Sequence, residues 1–238
     1  MQKFIIVFFF PVLVFSQIVD FNLEASWSIS DIQDFYLWSN LPSYVGEINY
    51  AVDAYSVTYM TPNENDSLVL ASGVVFLPVD PNCSMPVLSW QHGTVVADEG
   101  APSQSITTWY SSTQTIGFIS ASHGYIVFMS DYLGLGDGEG FHNYCHSRTE
   151  ASAVIDLIIA GKEFASMQGV QASDQLFLMG YSQGGHATMA AVREIEQNYS
   201  ELLQVTGSAP MAGPYSMSGA QREMLEAGLP YPNPGYLP

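Results

Sequence analysis

The strongest constraint on the fold is the alternation of short apolar runs with stretches of helical periodicity. The apolar runs are typical of buried strands, and the stretches between them repeat apolar residues every three or four positions. This alternation indicates an α/β domain with a largely parallel sheet, helices on both faces, and ligands at the carboxyl ends of the strands. The predicted strands cover 55–60, 68–77, 86–90, 125–130, 175–179 and 205–211, and the predicted helices 103–121, 147–167, 185–199 and about 219–227.

Two local patterns add detail to this outline. Residues 61–67 have turn chemistry, so the first two strands should form a β-hairpin. Ser147-Arg-Thr-Glu150 has the spacing of a capping box, in which the serine caps the helix and the glutamate reaches back to the cap. A helix should therefore begin at Ser147.

Residues 1–16 have the features of a secretory signal peptide. Lys3 provides the positive charge, Phe4 to Phe15 form the apolar core, and cleavage is expected after Ser16. A membrane anchor is the alternative, but about a dozen apolar residues are fewer than the roughly 20 that span a bilayer. The mature protein is therefore predicted to be secreted or periplasmic, without a transmembrane anchor.

Composition limits the partners of the chain. The 238 residues include 23 acidic and 5 basic side chains, which gives a formal charge of -18. Such a charge repels nucleic acid, so nucleic-acid binding is excluded. The length and the apolar fraction of 47% suit one domain, which we assign to residues 17–238.

The chain has two cysteines, Cys83 and Cys145. An oxidising compartment would permit a disulfide between them, because positions distant in sequence can be bridged there. Two separate buried thiols are the alternative, and two cysteines alone do not decide between them.

The segment Gly180-Tyr181-Ser182-Gln183-Gly184 has the G-x-S-x-G spacing of a nucleophile elbow. In such an elbow the serine lies on a strained strand-to-helix turn, and the glycines let the strand and helix approach closely. The pattern alone is weak, but here an apolar strand precedes it and a helix follows. It predicts Ser182 as a nucleophile, and an ordinary loop serine is the alternative.

Acyl transfer also needs hydrogen-bond donors for the developing oxyanion. The backbone N–H of Gln183 is one candidate, and that of Thr94 or Gly93, in the turn after a predicted strand, is the other. We interpret His92 as scaffolding for this turn. His92 as the general base is the alternative, but the histidine of this kind of triad follows the serine in the chain.

The chain after Ser182 does not complete a Ser-Asp/Glu-His triad. No aspartate follows Ser182, and the only later histidine, His186, lies four residues on along the same predicted helix. That position points away from the hydroxyl, so His186 is interpreted as a packing residue. The simplest interpretation is that the sequence is the N-terminal portion of a longer hydrolase domain.

The sequence resembles the secretory lipase family, the lipase A-like branch of the α/β-hydrolases, over about Tyr55 to Met217. The ordered set of motifs is more specific than any one of them. The segments are Ser89-Trp-Gln-His-Gly-Thr94, Ser130-Asp-Tyr-Leu-Gly-Leu-Gly136 with His142-Asn-Tyr144, Arg148-Thr-Glu-Ala-Ser152 leading into Asp156, and Gly180-Tyr-Ser-Gln-Gly-Gly-His186.

The resemblance implies an α/β-hydrolase fold and hydrolysis of acyl esters. It implies a helical cap beginning at about residue 214, with the triad acid and histidine beyond that cap and outside this sequence. It also places Asp131 and Tyr132 near the pocket, where we expect them to hold the turn rather than to act in catalysis.

The leading hypothesis is a secreted serine esterase or lipase that forms an acyl-enzyme and acts on a small-molecule or lipid ester. This chemistry needs no cofactor, and no metal site is predicted. A serine peptidase of the prolyl-oligopeptidase type shares the elbow, but there is no room for its propeller domain before Tyr55. A hydrolase-like protein that has lost its base and only binds an apolar ligand is the second alternative.

Overall fold

The computed structural model describes residues 17–39 and 46–228. The predicted signal peptide at residues 1–16 lies outside the described residues. No helix in these two ranges is long and apolar enough to cross a membrane.

One mixed sheet organises the described chain. Its seven strands, in chain order, are β1 (Ile18–Trp27), β2 (Val52–Pro62), β3 (Leu68–Pro78), β4 (Met85–Gln91), β5 (Ile126–Ser130), β6 (Ala172–Tyr181) and β7 (Val205–Met211). Their spatial order is β1-β2-β3-β5-β4-β6-β7. The pairs β1–β2, β2–β3 and β3–β5 are antiparallel, whereas the pairs β5–β4, β4–β6 and β6–β7 are parallel. The predicted hairpin is present, and the sheet that was predicted to be largely parallel is mixed, with three parallel and three antiparallel pairs.

Helices cover both faces of the sheet, as the alternation predicts. The helices are α1 (Ile29–Trp38), α2 (Ser112–Ser122), α3 (Ser147–Met167), α4 (Gln183–Glu194) and α5 (Arg222–Glu226). Buried residues of α3 and α4 belong to one apolar core, and those of α1 and α2 belong to a second. This two-faced arrangement is the α/β architecture expected of a hydrolase of this class.

The register of the parallel strands brings distant loops together. Gln91 at the end of β4 pairs with Gly180 of β6, and Tyr181 pairs with Met211 at the end of β7. The residues that follow β4 and β6 therefore lie at the same edge of the sheet. This edge carries the residues singled out by the sequence motifs.

The predicted helix at 103–121 is wrong over its first half. The chain forms two short 3₁₀ turns, Asp98–Gly100 and Pro102–Gln104, and α2 begins only at Ser112. Ser111 caps the helix by accepting a hydrogen bond from the N–H of Gln114 at 3.0 Å. Serine side chains compete with the helical backbone for hydrogen bonds, which explains the late start.

The predicted capping box at Ser147 is also wrong. The helix α3 begins at Ser147, but its N-cap is His146, which makes no capping hydrogen bond through its side chain. Glu150 does reach back, to the N–H of Cys145 at 3.1 Å, yet its carboxylate is buried against α4. The glutamate therefore contributes to a tertiary network rather than to a local cap.

Cys83 and Cys145 do not form the disulfide that the sequence allowed, because both are free thiols. Cys83 is exposed in the loop that enters β4, whereas Cys145 is partly buried in the segment that enters α3. The loop that enters β4 and the start of α3 lie at opposite ends of the parallel strands, which keeps the two thiols apart. Neither thiol is fully buried, so the alternative of two buried thiols holds only in part.

Candidate active site

Ser182 lies in the turn between β6 and α4. Its backbone has φ 59° and ψ −122°, a conformation that residues other than glycine rarely adopt. The N–H of Ser182 donates to the carbonyl of Met211 at 2.9 Å, and the side chain is half-buried. The backbone thus makes the sharp strand-to-helix turn that the G-x-S-x-G spacing predicts.

The glycines of the motif are required by close backbone contacts. A Cβ on Gly184 would meet the carbonyl of Gln91, with the carbonyl carbon only 2.6 Å away. A Cβ on Gly180 would lie 2.6 Å from the carbonyl carbon of Gly184 and 2.7 Å from Cβ of Gln91. The two glycines therefore let β6, α4 and the end of β4 pack together around Ser182.

The turn after β4 lies against the elbow. A Cβ on Gly93 would come within 3.3 Å of the carbonyl oxygen of Tyr181 and 3.7 Å of Cβ of Ser182. The next residue, Thr94, contacts Tyr144 through their hydroxyls at 3.0 Å. The structure thus brings the candidate donors Gly93 and Thr94 to the same place as Ser182.

Gln183 is the first residue of α4, and the first N–H groups of a helix have no partner within the helix. They also lie at the positive end of the helix dipole, which favours a developing negative charge. The backbone N–H of Gln183 therefore has the chemistry of an oxyanion donor.

The side chain of Gln183 is fully buried in a polar network that the sequence patterns did not predict. Its Nε2 donates to Oε1 of Glu150 at 2.9 Å and contacts Nε2 of His142 at 3.0 Å. Nδ1 of His142 contacts the carbonyl of Leu133 at 3.0 Å. With Nδ1 protonated, His142 accepts at Nε2, so the amide of Gln183 donates to two partners at once.

His186 is not merely a packing residue. Its Nδ1 lies 2.6 Å from Oε2 of Glu150, which is almost completely buried. Thus His186 joins the network around Gln183 and points to Glu150. Sequence reasoning missed this pair because Glu150 and His186 lie on separate helices, 36 positions apart.

Both ring nitrogens of His92 face backbone carbonyl oxygens, and a neutral ring donates a hydrogen bond to only one of them. Its Nδ1 contacts the carbonyl of Gly93 at 2.7 Å, and its Nε2 contacts the carbonyl of Asp131 at 3.3 Å. The ring packs on Tyr132, with 4.3 Å between ring centroids. Burial lowers the pKa of His92 to about 4, so the ring is neutral at neutral pH. These contacts support the scaffolding interpretation.

Asp131 and Tyr132 hold the turn after β5. The carboxylate of Asp131 accepts hydrogen bonds from the hydroxyl of Ser72 at 2.6 Å and from the N–H of Ser103 at 2.8 Å. Burial raises the pKa of Asp131 to about 6. The hydroxyl of Tyr132 donates to the carbonyl of His92 at 3.0 Å. Tyr132 therefore supports the turn after β4 directly, whereas the side chain of Asp131 joins the turn after β5 to β3 and to the 3₁₀ turn at Pro102–Gln104.

A groove of about 590 Å³ begins beside Thr94. Val96 and Phe141, two of its apolar lining residues, are largely exposed to solvent. Tyr144 and His142 line the side near the buried network. The groove offers apolar surface next to the candidate oxyanion donors.

The secretory lipase family model matches residues 100–221, which is slightly more than half of the chain. The chain belongs to the secretory lipase family. The matched stretch includes the elbow, the Asp131 turn and the start of α3. The comparison with curated proteins gives no match.

Solved structures show the same fold. A putative hydrolase from Legionella pneumophila is 30% identical, with a TM-score of 0.75 over 84% of this chain and 53% of that one. The rice cell wall degrading esterase LipA from Xanthomonas oryzae, in a ligand-bound form, is 32% identical, with a TM-score of 0.76 over 84% and 51%. Candida antarctica lipase A in its closed state is 22% identical, with a TM-score of 0.57 over 81% and 41%, and supports the fold alone.

These comparisons confirm the α/β-hydrolase fold and the family resemblance. The chain spans about half the length of the first two structures. The region from residue 214, which the resemblance implies begins a cap, contains a short π-helical turn, Met217–Gln221, followed by α5. Its role as a cap stays a prediction.

Proposed function

We propose that this protein is a secreted serine hydrolase that cleaves carboxylic esters, with Ser182 as the nucleophile. The observation that carries the proposal is the strained turn of Ser182 at the end of β6, packed directly against the Gly93 turn. Membership of the secretory lipase family supports it. So does similarity to a structure whose name describes an esterase.

In the proposed reaction, Oγ of Ser182 attacks the ester carbonyl carbon, and the carbonyl oxygen becomes an oxyanion. The backbone N–H groups of Gln183 and of Gly93 or Thr94 stabilise that charge. Collapse of the intermediate releases the alcohol and leaves an acyl-enzyme, which water then hydrolyses to the free acid. The groove beside Thr94 would receive the acyl chain.

The serine proton must pass to a general base. His186 is engaged by Glu150 and His92 by backbone carbonyls. Within residues 17–39 and 46–228 we assign neither of them to this role. The histidine and acid that the family resemblance implies are not among these residues.

The test is hydrolysis of p-nitrophenyl esters of increasing acyl length by the wild type and by Ser182→Ala. We expect Ser182→Ala to lower kcat by about 10³-fold or more, because the nucleophile is lost. Ser112→Ala, an exposed serine at the start of α2, is the matched control and should retain full activity. Equal hydrolysis by Ser182→Ala and the wild type would refute the proposal.

A non-catalytic binding protein is the second candidate. The hydrogen bond between His186 and Glu150 favours this candidate, because that bond engages the one histidine described after Ser182. This candidate predicts that the wild type does not hydrolyse esters and is not labelled by a fluorophosphonate probe, yet binds a fluorescent fatty acid in the groove. Labelling that disappears in Ser182→Ala would exclude it.

Secretion is part of the proposal and rests on the predicted signal peptide at residues 1–16. Expression with and without these residues, followed by N-terminal sequencing of the extracellular protein, tests it. Recovery of a chain beginning at Gln17 would agree with cleavage after Ser16.

A further inference from the structure

Three metal-ligating side chains from separate segments meet behind the elbow. Cys145 precedes α3, Glu150 lies in the first turn of α3, and His186 lies in the first turn of α4. One ligand atom from each residue lies within 4.8 Å of those of the other two. Glu150 is buried, and Cys145 and His186 are partly buried. Within the described residues this is the only group of three such side chains that close together.

The ligand types point to zinc. A thiolate, an imidazole and a carboxylate are the side chains that Zn²⁺ binds in proteins, and hard cations such as Mg²⁺ and Ca²⁺ avoid the sulfur ligand. Three protein ligands leave a fourth tetrahedral position for water. The formal charge of the chain, -18, also attracts a cation.

The carboxylate of Glu150 is already oriented for this role. Its Oε1 accepts from the N–H of Cys145 at 3.1 Å and from Nε2 of Gln183 at 2.9 Å. These two bonds hold the group while Oε2 faces His186. Outer hydrogen bonds of this kind are what orient the ligands of protein metal sites.

We propose that Cys145, Glu150 and His186 bind Zn²⁺ at a site that ties the segment before α3 to the elbow helix α4, with water as the fourth ligand. The thiol of Cys145 releases its proton to solvent on binding, and His186 carries its proton on Nε2, so that Nδ1 binds the ion instead of the carboxylate of Glu150. Tetrahedral Zn²⁺ separates its ligand atoms by about 3.3–3.7 Å, so the contact between His186 and Glu150 opens while the thiolate moves in. The ion takes no part in the ester chemistry.

The site has a mechanical consequence for the neighbouring network. Because Glu150 also holds the side chain of Gln183, a metal that fixes Glu150 fixes Gln183 as well. Ligands that bind only the folded state stabilise it by mass action. Zn²⁺ should therefore raise the melting temperature of the wild type.

The experiment titrates the metal-free full-length protein with Co²⁺ and then displaces it with Zn²⁺. Co²⁺ bound to a thiolate gives an intense near-ultraviolet charge-transfer band, which reports directly on the cysteine. We expect this band in the wild type and in Cys83→Ala, the exposed cysteine that serves as the matched control. In Cys145→Ala the band should be absent, and Zn²⁺ affinity should fall by about 100-fold or more.

Histidine variants provide a second arm. His186→Ala should weaken Zn²⁺ binding by a similar factor, whereas His123→Ala, at the C-terminus of α2, should leave it unchanged. Circular dichroism of each variant confirms that it folds. Absence of the band in the folded wild type, or its persistence in Cys145→Ala, overturns the proposal. Ser182→Ala should bind Zn²⁺ as the wild type does, so this test is independent of ester hydrolysis.

Discussion

Two turns at the carboxyl edge of the sheet are held by different interactions. The elbow depends on close backbone packing, in which Gly180 and Gly184 leave no room for a side chain. The turn after β5 depends on a buried carboxylate, Asp131, bonded to Ser72 and Ser103. The stability of the Asp131 turn should therefore depend on pH through this buried carboxyl, whereas the elbow should depend on side-chain volume at its glycines.

Gly184→Ala should give the largest effect on stability. The added methyl group meets the carbonyl groups of Gln91 and His92, which belong to backbone that cannot rotate away. We expect the free energy of unfolding to fall by about 3 kcal/mol, the upper range for overpacking, or the chain not to fold. Urea unfolding followed by circular dichroism measures this.

Gly207→Ala is the matched control for that change. A Cβ at Gly207 meets only the ring of Phe177, at 3.4 Å, which is ordinary contact. Its effect should stay below about 1 kcal/mol. Similar decreases in the free energy of unfolding for Gly184→Ala and Gly207→Ala would show that the elbow is no more sensitive to side-chain volume than β7 is.

Asp131→Asn should change how stability depends on pH. The pKa of Asp131 in the folded protein is about 6, above its ordinary value of 3.8, so the folded state binds more protons between those values. The contribution of this carboxyl to the free energy of unfolding therefore falls as pH rises from about 4 to 6, by about 1 kcal/mol per pH unit. Urea unfolding at several pH values should show this component removed in Asp131→Asn.

His92 makes the free energy of unfolding depend on pH in the opposite direction, over nearly the same pH range. The pKa of His92, about 4, lies below its ordinary value of 6.5, so the unfolded chain binds more protons between these values. The contribution of His92 to the free energy of unfolding rises with pH, and His92→Gln should remove that rise.

Asp174→Asn, which changes an exposed aspartate, is the control for Asp131→Asn. Identical slopes in Asp131→Asn and Asp174→Asn would contradict the burial argument.

Ser182→Gly should have the smallest effect, and in the opposite direction. Serine at φ 59° stores conformational strain that glycine does not. We expect the free energy of unfolding to rise by about 1 kcal/mol while ester hydrolysis is lost. Ser182→Ala keeps a Cβ in the same conformation and should not gain stability. A gain in Ser182→Ala equal to that in Ser182→Gly would mean that the strain is not in the backbone.

The elements that the sequence predicted well are those with a strong local signal. The predicted strand at 205–211 and the predicted helix at 147–167 have the bounds of β7 and α3. In contrast, β1 and α1 were not predicted. The strand β1 lies at the edge of the sheet with most of its residues exposed, so its pairing with β2 depends on tertiary contact rather than on a buried pattern.

The candidate site divides in the same way. The placement of Ser182, Gln183 and Gly93 follows from motifs whose residues are neighbours in the chain. The roles of Glu150 and His186 do not follow from such motifs. A capping box was the nearest local pattern for Glu150, and it was wrong because buried partners on α4 outweigh a cap in solvent.

The sequence by itself determined the order of strands and helices from β2 onward, the family and the position of the elbow, because each of these depends on local spacing and on which residues are apolar. Only the tertiary structure decided which polar groups meet. The bonds from Asp131 to Ser72, from Glu150 to Gln183 and from Glu150 to His186 join residues 59, 33 and 36 positions apart. Burial makes a partner obligatory for such groups, but only the packing of strands and helices determines which partner is within reach.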